Sequence, residues 1–98
     1  MRCRHADNKL GRVERDPRAS LGHGPDVDAA FRQRMQLIRA AADERDFRAL
    51  KSLHFERLKG DRSHQWSMRL RDQWRLILEF EKDPQGKVVA VISVVDFH

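Results

Sequence analysis

Residues 65–81 read QWSMRLRDQWRLILEFE, and this stretch decides the fold. In its first half Trp66, Met68 and Leu70 alternate with Ser67, Arg69 and Arg71. In its second half Trp74, Leu76, Leu78 and Phe80 alternate with Arg75, Ile77, Glu79 and Glu81. Alternation of period two marks a strand with one buried face. Two such runs separated by a short link around Asp72 and Gln73 predict an antiparallel hairpin over 65–71 and 74–81. The apolar residues then face the core, and Arg69, Arg71 and Arg75 emerge together on the other side as a basic sheet face.

Downstream, residues 82–87 (KDPQGK) have the composition of a turn. Residues 88–95 (VVAVISVV) form an apolar, β-branched run, which predicts a strand buried on both faces and central in the sheet. Upstream, residues 53–59 (LHFERLK) alternate as a further strand. Residues 26–42 are the clearest helix, because Val27, Phe31, Met35, Ile38 and Ala42 recur at spacings of three and four. Asp26 and Asp28 fall in its first turn, where carboxylates complement the helix dipole. Residues 43–52 predict a shorter helix with Phe47 and Leu50 toward the core. Residues 16–25 (DPRASLGHGP) read as a loop. Residues 6–15 have weak helical character with Asp7 or Asn8 as N-cap, and residues 1–5 a thin strand. Helices followed by strands predict one α+β domain over residues 1–98: a small, twisted, mostly antiparallel sheet with two or three helices packed on one face.

Composition narrows the function classes. The chain has 98 residues, with 20 Lys and Arg against 15 Asp and Glu, a net charge of +5. No apolar run approaches the roughly 18 residues of a membrane span, so no membrane role is expected. Cys3 is the only cysteine and has no partner for an internal disulfide. The Arg-rich start lacks the apolar region of a secretory signal, so a reducing, cytoplasmic setting is expected. The positive excess is uneven: residues 54–75 carry six basic and three acidic side chains, residues 76–98 two and four. Such a basic segment is a candidate polyanion-binding surface, or simply a solvated one.

Motifs for nucleotide or zinc sites are absent, and no metal or cofactor is expected. What remains is a cluster of Lys59, Arg62, Arg69, Arg71 and Arg75, joined by His54, His64 and His98. Each has an ordinary alternative: a solvated strand arginine, a turn histidine, a half-buried histidine, a chain-terminal residue. The ending Asp96-Phe97-His98 stands out, because Asp96 and His98 share strand parity. A central last strand would deliver both to the arginine face. An imidazole moves protons near neutral pH, and arginines stabilise the extra charge of a pentacovalent phosphorus. Those are the parts of metal-free RNA cleavage by a ribose 2′-hydroxyl.

The run Leu58-Lys59-Gly60-Asp61-Arg62, then Trp66-Ser67-Met68-Arg69, Asp72-Gln73-Trp74-Arg75 and the terminal Asp96-Phe97-His98 resembles the HigB toxins of the RelE-like superfamily. The likeness covers residues 26–98 closely and 1–25 loosely. It implies a type II toxin that cuts mRNA on the ribosome. It also implies a cognate helix-turn-helix antitoxin as partner, with DNA engaged only indirectly through that antitoxin. By position it implies His98 in proton transfer, with Asp96 orienting it. Lys59, Arg71 and Arg75 become phosphate-binding and transition-state groups, and His54 a further active-site histidine. Arg62 and Arg69 are implied as ribosomal RNA contacts or surface charges. Phe97 replaces the family's usual Tyr, which keeps a stacking surface and loses a phenol hydrogen bond. Trp66 and Trp74 keep the apolar parity and are assigned to the core. The alternative is a non-catalytic RNA- or antitoxin-binding homologue that has lost cleavage through Phe97; a permanent basic component bound to ribosomal RNA is a third reading.

Overall fold

The computed structural model describes residues 1–97. His98 lies outside them. β1 (Arg2–His5) leads into α1 (Asn8–Arg15), α2 (Pro25–Ala40) and α3 (Glu44–Ala49). β2 (Glu56–Arg57), β3 (Trp66–Arg71), β4 (Trp74–Asp83) and β5 (Gly86–Asp96) follow, with short 3₁₀ turns at Lys51–Leu53 and Gly60–Arg62. The five strands form one open sheet in the order β1-β5-β4-β3-β2. β1 runs parallel to β5, and every other pairing is antiparallel.

Local chemistry accounts for the helix starts. Asp7 caps α1 by accepting the Lys9 amide at 2.8 Å, and Asp43 caps α3 by accepting that of Arg45 at 2.8 Å. α2 begins at Pro25, whose fixed φ and missing N–H suit the first helical position. Asp28 does more than complement the dipole: it is buried and accepts the Leu21 amide at 2.9 Å. Arg32 ties the same loop to α1, donating to the carbonyls of Asp16 and Ala19 in the loop and of Val13 in α1. The Pro/Gly-rich segment 16–25 is therefore an ordered strap across α1 and α2.

The core lies between the helices and one sheet face. Leu10, Val13, Phe31, Met35, Ile38 and Phe47 pack on Met68, Leu70, Leu76, Leu78, Val89 and Val91. Truncating wholly buried Phe31 to Ala would cost about 3–5 kcal/mol. Ile77, Ala90 and Ser67 belong to the other face yet are also buried. So β4 and β5 are covered on both sides at their middles. β5 is an interior strand, as the apolar run requires, but β4 holds the exact centre of the order.

Several boundaries differ from the sequence expectations. β4 and β5 extend into the turn expected at 82–87, leaving only Pro84 and Gln85 between them. The strand expected over 53–59 shrinks to Glu56–Arg57, because a 3₁₀ turn occupies Lys51–Leu53 and His54 takes a left-handed backbone with φ 45°. α2 stops at Ala40, so Ala41 instead of Ala42 is buried at its end. Leu50, expected to face the core, is exposed, since α3 ends before it.

Candidate functional site

Two bulges set the geometry of the site. Between Arg69 and Arg71 the β3–β4 register shifts, so Arg69 faces Arg75 while Arg71 faces Trp74. Between Ile77 and Leu78 the β4–β5 register shifts, so Val95 faces Arg75 and Asp96 faces Trp74. Residues directly opposite in a ladder share a face, and an extra residue in one strand reverses the parity beyond it. Two rows result at this end of the sheet. The row Arg69–Arg75–Val95 lies on the open face. The row Arg71–Trp74–Asp96 lies on the helix side.

This corrects two sequence expectations. Arg71 does not emerge with Arg69 and Arg75: it lies on the other side, 3.4 Å from Asp26 at the start of α2. Asp96 does not face Arg75: the bulge in β5 turns it toward Trp74 and Arg71. The expectation for His98 lies outside the described residues. The backbone leading to it is anchored, because the Phe97 amide donates to the Gln73 carbonyl at 2.8 Å. Phe97 itself is exposed, one of two large hydrophobics so placed among the described residues.

Arg75 is the most constrained candidate. Its Nε donates to the Ser67 hydroxyl at 2.9 Å, and its terminal nitrogen donates to the His54 carbonyl. Burial pulls its pKa below the ordinary arginine value, Glu56 opposes that, and Arg69 adds to it. A guanidinium stays charged even so. Arg69 is half-buried beside it and, among the described residues, has no carboxylate at ion-pair distance. Two like charges directly opposite each other destabilise a sheet, and their juxtaposition leaves a cationic notch suited to an anion.

The basic face is narrower than composition suggests. Farther along the open face, Arg2 pairs with Asp83 at 2.5 Å and Arg4 with Glu81 at 2.6 Å. Glu79 takes the Gln65 amide at 2.9 Å, and His64 stands 3.7 Å from the same carboxylate. Glu56, opposite Ser67 on the same face, partly offsets Arg75, and the net positive charge of this corner is carried by Arg69 and Arg75 together.

The remaining candidates surround this notch unevenly. His54 contributes its carbonyl, and its ring is exposed. Lys59 is exposed at the entry to the Gly60–Arg62 turn. Arg62 donates to Gln65 at 3.0 Å instead of reaching the sheet face. Trp66 and Trp74 are half-buried; Phe55 stacks on Trp66 at 4.8 Å and Arg48 lies 5.3 Å over its ring. His23, which the sequence did not single out, stacks on Trp74 with centroids 4.4 Å apart. Among the described residues no three His, Cys, Asp or Glu side chains converge as a metal set.

A family description as the RelE-like toxin of type II toxin–antitoxin systems, HigB, matches residues 4–98. The chain belongs to the HigB-like family of RelE-like toxins. Among solved structures it is similar to the YoeB/ParE toxin from Agrobacterium tumefaciens, with a TM-score of 0.60 and 19% identity over 100% of this chain and 99% of that one. At that identity the likeness speaks for the fold. No curated protein matches the chain. As a HigB-like toxin it has an antitoxin as its family-level partner, and no helix among the described residues is long and apolar enough to cross a membrane.

Proposed function

We propose that this HigB-like toxin is a ribosome-dependent endoribonuclease that cuts mRNA without a metal, in the cytoplasm where ribosomes work. The observation that carries the reading is the pair Arg69 and Arg75, held opposite each other on the open face next to the end of β5. A phosphodiester seated there would meet two guanidinium groups, with Arg75 already fixed by Ser67 and His54. His98 would take the proton of a ribose 2′-hydroxyl or return one to the leaving 5′-oxygen. The 2′-oxygen forms a bond to phosphorus as the bond to the 5′-oxygen breaks. The products are a 2′,3′-cyclic phosphate and a 5′-hydroxyl. Asp96 and Arg71 lie on the Trp74 side of the sheet, and in this reading they act at the end of β5, where the two faces meet, on the imidazole that follows. Lys59 and the His54 ring would reach the substrate from the rim, and Arg62 the ribosomal RNA. Exposed Phe97 offers a stacking surface to a base.

The partner in this reading is a helix-turn-helix antitoxin, which brings the pair to DNA. The test is induction in bacteria with mapping of mRNA 5′ ends. Wild-type protein should arrest growth and cut ribosome-bound messages, while Arg75→Ala and His98→Ala should lower cleavage by about 10²–10⁴. Equal cutting of naked RNA and ribosome-bound RNA would overturn ribosome dependence. Growth arrest surviving both substitutions would favour a non-catalytic binder.

A further inference from the structure

The site contains a buried polar side chain that touches no substrate atom in the reaction above. Ser67 is 1% exposed, although it lies on the open face of β3 between Glu56 of β2 and Ile77 of β4. A buried hydroxyl is costly without a partner, and Ser67 spends its oxygen on Arg75 Nε at 2.9 Å. Arg75 is pinned a second time by the His54 carbonyl, presented by a residue at φ 45°. A left-handed non-glycine backbone costs energy, and here it aims that carbonyl at the guanidinium.

We infer that Ser67 is a positioning residue: with the His54 carbonyl it locks the Arg75 guanidinium in one orientation, so that its remaining N–H groups are presented to a phosphate beside Arg69. The inference rests on the phosphodiester reading of the notch and adds the group that orders it. A free arginine would lose rotamer freedom on meeting the phosphate, and a clamped one has lost it already. Against the repulsion of Arg69, an unclamped Arg75 would swing away toward solvent. The position needs a small side chain with an acceptor, and Ser supplies both.

The experiment compares Ser67→Ala and Ser67→Cys, the latter similar in shape with a poor acceptor. Each is measured alone and with Arg75→Ala. Two readouts are used: affinity for an RNA oligonucleotide made uncleavable by a 2′-deoxy substitution, and single-turnover cleavage on ribosomes. The nitrogen-15 signal of Arg75 Nε–H reports the clamp directly. Both Ser67 variants should lose about tenfold in cleavage, and the Nε–H should lose its protection from solvent exchange. In the Arg75→Ala background they should cost nothing further. Wild-type cleavage or affinity in both variants would overturn the inference. So would an equal loss in the Arg75→Ala background, which would mark Ser67 as a packing residue. Wild-type protein that binds no oligonucleotide and cuts nothing would instead remove the phosphodiester reading, and this inference with it, even with the Nε–H protected.

Discussion

Arg69 and Arg75 stand directly opposite each other on neighbouring strands, both on the open face of the sheet. Stability alone would not place them so. Replacing Arg69 with Gln should therefore raise unfolding stability by about 0.2–1 kcal/mol. The same change should weaken RNA binding and reduce the salt slope of log affinity by about one unit. Denaturant titration and binding at several salt concentrations check the pair of effects. A variant both less stable and equally tight for RNA would contradict it.

Arg71 and Arg75 are only four residues apart but serve opposite sides of the sheet. Arg71 is exposed, near Asp26 and Asp72 at 3.4 and 3.3 Å. Arg71→Ala should cut cleavage less than Arg75→Ala, by about tenfold or more. Single-turnover rates of the two variants on ribosomes decide this.

Glu14 links three elements. It accepts from Arg39 Nε and Nη2 at 2.6 and 2.9 Å and contacts His5 Nε2 at 2.7 Å. The Arg39 hydrogen bonds hold its carboxyl below the ordinary glutamate range, with His5 helping and burial opposing. The folded protein thus binds this proton less readily than the unfolded chain. The stabilisation is whole above the unfolded value of about 4.3 and fades as pH falls through the depressed folded one. Glu14→Gln should cost about 1 kcal/mol at pH 7, screening at half-exposed Arg39 keeping the figure low. Urea midpoints from pH 7 to pH 3 should show the two proteins converging at the acid end.

Cys3 should be a poor nucleophile. Burial pushes its thiol pKa up, and the nearby Arg39 only partly offsets that. At pH 7.5 iodoacetamide should modify it more slowly than a free thiol such as glutathione, and faster once urea unfolds the chain. Mass spectrometry of the alkylated protein measures both rates.

The hairpin is legible in residues 65–81 because alternation is a local property of each strand. The bulges are not. Around Ile92 the extra residue is lost in an apolar run, and around Leu70 the alternation of Arg and Leu continues unbroken through the slip, so the pattern carries no mark of either. Yet those slips decide which face receives Arg71 and Asp96. The alternation of 53–59 misleads for another reason: Phe55 packs on Trp66, Phe47 and Phe80, while the backbone at His54 turns left-handed and leaves the ladder. His23 is illegible because its place on Trp74 depends on the strap that Arg32 and Asp28 fasten.

β1, four residues long, finds its parallel partner in β5. During synthesis the opening strand must wait for nearly the whole chain before its backbone amides meet their acceptors, and β4 waits likewise on one edge. Such long-range pairing folds slowly. A ribosome stalled anywhere before β5 would therefore release only an unfinished sheet, open to proteases.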